Sequence, residues 1–379
     1  MPKWAIGLAL AASLPLHAMT PQRTSAVDAA ARDAMARTGS RGLAIALIDQ
    51  GKVVLVRAYG VRNAAAAPLE TDTIMYGASL TKTMFAYAVM QLVDEGKVDL
   101  DRPIADYLPK PLPEYGNLDA YGNWADLAGD ERWRRITPRI ILTHSTGFAN
   151  FSFIEPDGKL RIHFDPGSRY AYSGEGIILL QFVLEKGLGL DAGQEMQRRV
   201  FDRLGMINSS AHWRPDFASH LADGWTDEGK VVPHDERSHV RLAGSVDTSI
   251  ADVAKFAAGL VRGEGLSARS RAEMVRPQLP ITTLSQFPSF QPEVPPDKRF
   301  PISAGLGVIT FSGPQGPGFF KGGHDDQTAN TIVCVERGRK CAVILSNDVR
   351  SERAFPDLVR SLIGETGAPW RWEYPEQFR

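Results

Sequence analysis

Length, composition and charge describe an ordinary globular protein. The chain has 379 residues, of which 43% are hydrophobic and 23% charged, and its formal net charge is −1. It is long enough for one large domain or two packed ones. It carries no basic block and no interleaving of basic and aromatic residues, so we expect no nucleic-acid partner.

The first residues have the pattern of a secretory signal. Lys3 precedes an apolar stretch, Trp4 to Leu16, that is too short to span a bilayer, and Ala18 is suited to cleavage. The alternative is an uncleaved membrane anchor. We predict a signal peptide over residues 1–18, a secreted or periplasmic mature protein, and no stable membrane insertion after cleavage.

A helix and a β-hairpin are predicted next. Residues 26–38 are alanine-rich, with apolar residues at helical spacing. Residues 43–48 and 53–60 are rich in β-branched residues and are separated by an Asp-Gln-Gly-Lys turn, which is typical of an antiparallel hairpin.

The most informative stretch begins with Ser79 and Lys82, spaced as Ser-x-x-Lys. Apolar residues recur at helical spacing up to Leu92, and Gly96 follows as a stop signal. We therefore expect Ser79 in the first turn of a helix, with Lys82 one turn later on the same face. Burial and the helix dipole both disfavour the lysine cation there, so a neutral amine could take the serine proton. The alternative is a capping serine and a solvated lysine.

Helices and loops are predicted for the middle of the chain. Helical patterns occupy residues 136–142, the segment after the turn at 165–168, and residues 249–260. Three segments without periodicity are expected to be loops that set substrate specificity: residues 110–135, 211–240 and 277–302.

Strand patterns return from about residue 305 to 347, and a final helix runs from about 353 to 363. Because strands occur at both ends of the chain and helices fill the middle, we predict an α/β (α+β) fold. In this fold, one antiparallel sheet from the N- and C-terminal segments is flanked by helices, with a mostly helical subdomain inserted between them.

The two cysteines, Cys334 and Cys341, flank a predicted hairpin tip. A two-residue turn at Arg337 and Gly338 would place them opposite each other, as a hydrogen-bonded pair with the wider Cα separation. An oxidising compartment would let them form a disulfide. The alternative is two small apolar strand residues, and the sequence leaves both open.

Two further stretches carry residue types suited to proton transfer and ligand binding. Tyr172 precedes a predicted helix, and a phenol can shuttle protons when nearby cations lower its pKa. Residues 321–324, Lys-Gly-Gly-His, lie at a strand edge where the lysine could bind a carboxylate and the glycines allow close approach of a ligand. The alternatives are a packed aromatic residue and an edge lysine that prevents aggregation.

Together these stretches resemble the serine β-lactamase and penicillin-binding hydrolases. The closest group is the class C β-lactamase-related one, which includes D-Ala-D-Ala carboxypeptidases, D-aminopeptidases and esterases. The resemblance extends from about residue 26 to 365. Further stretches similar to the family's motifs follow in the family's order at residues 96–103, 142–147, 166–173, 201–206 and 243–245.

The resemblance implies catalytic roles for three residues. Ser79 would attack an acyl carbonyl and form an acyl-enzyme, while Lys82 and Tyr172 would share the proton transfer. We expect no cofactor, and no metal either, because the sequence offers no second cluster of suitably spaced ligands. His144 with Ser145 looks like part of a catalytic triad, but the glycine of a nucleophile elbow is missing, so this stretch is predicted to be structural.

The resemblance also implies a substrate-binding edge formed by Lys321, Gly323 and His324. The backbone N–H groups of Ser79 and His324 would form an oxyanion hole. Lys321 would keep the site electropositive and lower the pKa of Tyr172. Because esterase-like relatives often place a histidine at the position of this lysine, His324 is an alternative to Lys321.

Two positions depart from the family's pattern. Gly174 stands where the middle motif has an asparagine, so a side-chain amide that would hold the substrate is missing. Gly322 stands where β-lactamases carry threonine or serine, so a hydroxyl contact to a substrate carboxylate is missing. Both departures weaken a β-lactamase assignment more than they weaken acyl transfer in general.

We therefore predict a secreted or periplasmic serine hydrolase that forms an acyl-enzyme at Ser79. Its substrates would be peptides or amides with D-amino acids, or small esters, with β-lactams as a further candidate. The alternative is a non-hydrolytic penicillin-binding sensor or binding module that is acylated at Ser79. The only partner expected is a small-molecule or peptide substrate, and without an exposed heptad pattern we expect a monomer.

The implied fold is β-lactamase/transpeptidase-like. The predicted boundaries are residues 19–379 for a single catalytic domain, about 26–110 and 245–379 for its α/β part, and about 111–244 for the helical insertion.

Overall fold

A computed structural model describes residues 20–378 and contains one eight-stranded sheet. Its strands in chain order are β1 (Gly42–Asp49), β2 (Lys52–Gly60), β3 (Leu279–Pro280), β4 (Ile302–Ala304), β5 (Ile309–Gly313), β6 (Gly316–His324), β7 (Ala329–Val335) and β8 (Lys340–Ser346).

The order of the strands joins the two ends of the chain. Across the sheet it is β2-β1-β8-β7-β6-β5-β4-β3, and each neighbouring pair is antiparallel. The predicted antiparallel sheet formed by N- and C-terminal segments is thus confirmed.

Helices cover both faces of this sheet. Along β1, Leu43, Ile45 and Leu47 belong to one apolar core, and the alternate residues Ala44 and Ala46 belong to the other, as the two-residue period of a strand requires. The α-helices in the described part of the chain are α1 (Pro21–Thr38), α2 (Leu80–Asp94), α3 (Pro138–Leu142), α4 (Gly174–Phe182), α5 (Ala192–Met196), α6 (Ile250–Arg262), α7 (Ala268–Val275), α8 (Phe355–Ile363) and α9 (Trp370–Glu373).

The cysteines form a disulfide in the β7–β8 hairpin. Cys334 and Cys341 are direct partners, as predicted, but their Cα atoms are only 4.1 Å apart. This is the closer spacing, typical of a non-hydrogen-bonded pair. The expected wider separation was wrong because four residues, 336–339, rather than two form the loop beyond the last strand pair.

The predicted signal peptide, residues 1–18, lies outside the described residues. Within residues 20–378, no helix combines the length and the apolar character needed to cross a membrane.

Candidate active site

A cleft of about 540 Å³ lies between the N-terminal end of α2 and the edge of β6. Ser79 occupies the N-cap of α2, directly after Ala78, whose φ of 46° is in the left-handed region. The Ser79 side chain makes no capping hydrogen bond to the helix. The alternative of a capping serine is therefore wrong.

Lys82 lies beside this hydroxyl and is almost fully enclosed. Its side chain is 1% exposed, its Nζ atom is 2.9 Å from Ser79 Oγ, and it donates a hydrogen bond to the carbonyl of Ala243. Burial and the charge of Lys321 lower the pKa of Lys82 well below its usual value. The alternative of a solvated lysine is wrong, and the lowered pKa favours the neutral amine that a base requires.

Tyr172 approaches the same hydroxyl from the segment before α4. Its phenol forms a hydrogen bond with Ser79 and lies 3.4 Å from Lys321 Nζ. Burial raises the pKa of Tyr172, and the Ser79 hydrogen bond offsets only part of this rise. The expectation that Lys321 lowers this pKa was wrong because enclosure of the phenol dominates, so Tyr172 is a neutral proton donor.

The edge of β6 forms the opposite wall. Pairing between β5 and β6 ends at Ile309 and Phe320, and β6 continues to His324 with only β7 beside it. A Cβ atom at Gly323 would lie 2.9 Å from the backbone nitrogen of Leu80 and 3.1 Å from that of Ser79. Glycine therefore lets this edge approach the start of α2 closely.

Lys321 and His324, the two candidates for the third motif, have different partners. Lys321 is buried beside Tyr172, and this burial lowers the lysine pKa to about 8. His324 Nδ1 lies 2.6 Å from Glu352 Oε1. Burial acts to lower the pKa of His324, but the hydrogen bond and charge of Glu352 raise it overall. Lys321 is thus the one in contact with the phenol.

At both positions where a glycine departs from the family's pattern, the side chain of another residue occupies the space that a larger residue would fill. A Cβ atom at Gly174 would lie 2.5 Å from Cε1 of Phe151. A Cβ atom at Gly322 would overlap Glu373 Oε1. A glycine in place of a larger motif residue indicates that another side chain can fill the space, but the sequence does not identify that side chain.

Glu373 is a site residue that the sequence did not predict. It ends α9, is 4% exposed, and lines the cleft together with Ser79 and Lys321. Its Oε2 atom accepts a hydrogen bond of 3.0 Å from Gln286. Burial raises its pKa, while the charges of Lys321 and His324 act in the opposite direction. It lies beyond the stretch that resembles the family, and no local motif marks it.

Two of the three predicted specificity segments reach the cleft. Residues 235–239 and 286–287 line it, with Phe151 and Phe153 adding aromatic surface. None of residues 110–135 lines it. They bury Trp124 and Trp133 in the protein core instead, so this segment was wrongly assigned.

His144 lies behind the cleft and packs against Tyr172, with their ring centroids 4.5 Å apart. Burial, followed by the charges of Lys82 and Lys321, lowers the pKa of His144 well below its usual value. A neutral imidazole in this position supports the ring of Tyr172, as expected for a structural residue.

Comparison with known proteins identifies the family. A family model described as Beta-lactamase matches residues 27–363, so the chain belongs to the beta-lactamase family, and its predicted resemblance is confirmed. This is a family of serine hydrolases with esterase and carboxypeptidase members.

Individual relatives are distant. The chain is 28% identical over 201 residues to a lovastatin esterase of Penicillium rubens, covering 46% of this chain and 50% of that protein. It is 25% identical over 228 residues to acyltransferase calJ of Penicillium decumbens, covering 52% and 53%. The chain thus spans about half the length of these curated relatives. The crystal structure of D-alanine carboxypeptidase AmpC from Burkholderia cenocepacia has the same fold, with a TM-score of 0.71 and 19% identity over 90% of this chain and 99% of that one.

Proposed function

We propose that the protein is a serine hydrolase that forms an acyl-enzyme at Ser79 and cleaves small neutral esters. The observation that carries this proposal is the contact of 2.9 Å between Ser79 Oγ and Lys82 Nζ, an amine whose pKa is held far below its usual value by burial. A serine hydroxyl needs such an adjacent base to become an effective nucleophile.

The proton path follows from the protonation states of the two partners. As Ser79 Oγ attacks the acyl carbonyl, neutral Lys82 accepts the hydroxyl proton. Tyr172 donates its phenolic proton to the oxygen of the leaving alcohol and takes the proton held by Lys82 in its place. Water then replaces the alcohol, and the same groups return a proton to Ser79 as the carboxylic acid is released.

The negative charge of the tetrahedral intermediate falls between α2 and the edge of β6. The backbone N–H groups of Ser79 and His324 are the proposed donors, and Gly323 permits their close approach. Each such donor typically lowers a barrier by ~3 kcal/mol. Lys321 adds a positive charge beside Tyr172 below pH 8.

The surroundings of Ser79 favour esters over peptides and β-lactams. Phe151 fills the space beside Gly174, and Phe153 and Phe287 extend the aromatic wall of the cleft. Such a wall suits an apolar acyl or alcohol group. The similarity to a lovastatin esterase supports the same substrate class.

A secreted or periplasmic location remains part of the proposal. The disulfide between Cys334 and Cys341 supports it, because disulfides persist in oxidising compartments.

Intact mass spectrometry tests the nucleophile. The purified protein is exposed briefly to p-nitrophenyl butyrate, a penicillin and a D-Ala-D-Ala peptide, beside Ser79→Ala and Ser238→Ala. The second variant is a control because Ser238 is an exposed serine at the same cleft. We expect a short-lived butyryl adduct that Ser79→Ala loses and Ser238→Ala keeps. An adduct that survives in Ser79→Ala would refute the proposal, and a permanent penicillin adduct without product would establish the sensor instead.

A further inference from the structure

Glu373 is held rigidly at the substrate side of the cleft. Gln286 accepts a hydrogen bond of 2.8 Å from the hydroxyl of Tyr170 at its Oε1 atom and donates one of 3.0 Å from its Nε2 atom to Glu373. The amide of Gln286 thus links Tyr170 to Glu373, with its oxygen towards the phenol and its nitrogen towards the carboxyl group. Trp372, the neighbour of Glu373 in α9, is fully buried and anchors the turn.

The carboxylate of Glu373 also occupies the binding position next to Lys321. Its Oε1 atom fills the volume that a side chain at Gly322 would need. Lys321 and Glu373 each favour the charged form of the other. The cation that would attract an anionic substrate group therefore already has a carboxyl group of the protein beside it.

The charge of His324 does not reverse this situation. The raised pKa of His324 favours its cation, but Glu352 Oε1 lies 2.6 Å from its Nδ1 atom and pairs with it. Asp325 adds another carboxyl group to the lining of the cleft. A substrate carboxylate brought to Lys321 would meet the carboxyl group of Glu373, which already fills the space beside Gly322. Whenever that group is ionised, the two like charges repel strongly in a partly desolvated site.

From this arrangement we infer that Glu373 selects acyl donors without a carboxylate beside the scissile carbonyl and rejects those that carry one. The selection rests on the proposed acylation at Ser79, which it restricts to neutral substrates. Glu373 is thus a specificity-determining residue, and it acts by occupying the anion position beside Lys321.

Two esters with acyl chains of equal length test this selection. p-Nitrophenyl butyrate is neutral, and the mono-p-nitrophenyl ester of succinate carries a carboxylate at the end of the same four-carbon chain. The quantity compared is the ratio of kcat/KM for the neutral ester to that for the anionic one. It is measured for the wild type, for Glu373→Gln and for Asp326→Asn, a control that removes an exposed carboxylate just outside the cleft lining.

We expect the wild type to favour the butyrate ester at least tenfold. Glu373→Gln should lower this ratio at least tenfold, and Asp326→Asn should change it less than twofold. An equal ratio in the wild type and Glu373→Gln would overturn the inference. If thermal unfolding shows that Glu373→Gln does not fold, the preference of the wild type between the two esters is the test of the inference. A wild-type preference for the succinate ester would then overturn the inference.

Binding without turnover separates this inference from the proposed function. Titration calorimetry on Ser79→Ala compares 4-phenylbutyramide with 4-phenylbutyrate. Tighter binding of the amide than of the carboxylate, with a smaller difference in Ser79→Ala/Glu373→Gln, supports charge selection by Glu373. This support holds even if neither ester is hydrolysed. In that case only the hydrolase proposal fails. Equal binding of both ligands, or binding of neither, would overturn the selection.

Discussion

Gly323→Ala tests whether the edge of β6 forms the oxyanion hole. The new Cβ atom would lie 2.9 Å from Leu80 N, 3.1 Å from Gly77 O and 3.1 Å from Ser79 N. Ordinary carbon contacts begin near ~3.5 Å, so the edge must retreat by about 0.6 Å from backbone atoms that cannot rotate away. A retreat of this size weakens a donor that is worth ~10²-fold or more in kcat.

The expected result is a fall in kcat of ~10- to 10²-fold with little change in KM, since the donor acts on the transition state. Hydrolysis of p-nitrophenyl butyrate measures both constants. Overpacking should also lower the free energy of unfolding by ~1–3 kcal/mol, which urea denaturation measures. Gly176→Ala is the matched control, because its Cβ atom would meet side-chain atoms of Thr146 at 3.1 Å or more. If Gly323→Ala keeps the wild-type kcat, the assignment of the β6 edge to the oxyanion hole is refuted.

Three further predictions concern the groups around Ser79. Lys82→Met keeps the bulk of the side chain without the amine, so kcat for p-nitrophenyl butyrate should fall by ~10²- to 10⁴-fold. A variant with wild-type kcat would remove Lys82 as the base. Burial lowers the pKa of Lys321 to about 8, so its positive charge is present below pH 8 and lost above it, and kcat/KM should fall as the pH rises through about 8. Lys321→Arg stays charged and should keep its rate to higher pH, whereas a pH profile identical to that of the wild type would contradict this role. Gly174→Asn should lose ~1–3 kcal/mol of unfolding free energy because Phe151 occupies the space, and adding Phe151→Ala should restore part of it. Urea denaturation of the two single variants and the double variant measures the coupling between residues 174 and 151. Losses of unfolding free energy that simply add would disprove this coupling.

Local periodicity was sufficient to predict the elements that carry the nucleophile. The helical spacing after Ser79 predicted α2, and β-rich segments at both ends of the chain predicted the shared sheet. These patterns are local, because the period of a helix or strand is determined by the spacing of apolar residues that are close in sequence. The motif order then located Tyr172 and Lys321, which the fold brings to Ser79.

Residues whose role depends on distant packing were not predictable. Glu373 and Phe151 matter because they fill space beside glycines 51 and 23 positions away, and no local pattern encodes that contact. The high pKa of Tyr172 also depends on enclosure by several segments rather than on one neighbouring cation. Residues 110–135 resembled a surface loop because their proline and glycine content concealed two core tryptophans.

The pairing of β1 with β8 has a consequence for how the protein becomes active during synthesis. Ala44 faces Leu345 across these strands, so the chain as far as Leu345 must emerge from the ribosome before the sheet can close. Contacts this distant in sequence form late in folding. Ser79 and Lys82 are made well before Lys321 and Glu373, which follow more than 200 residues later. An incomplete nascent chain therefore displays the nucleophile without its assembled cleft, and we expect esterase activity to appear only after synthesis of α9.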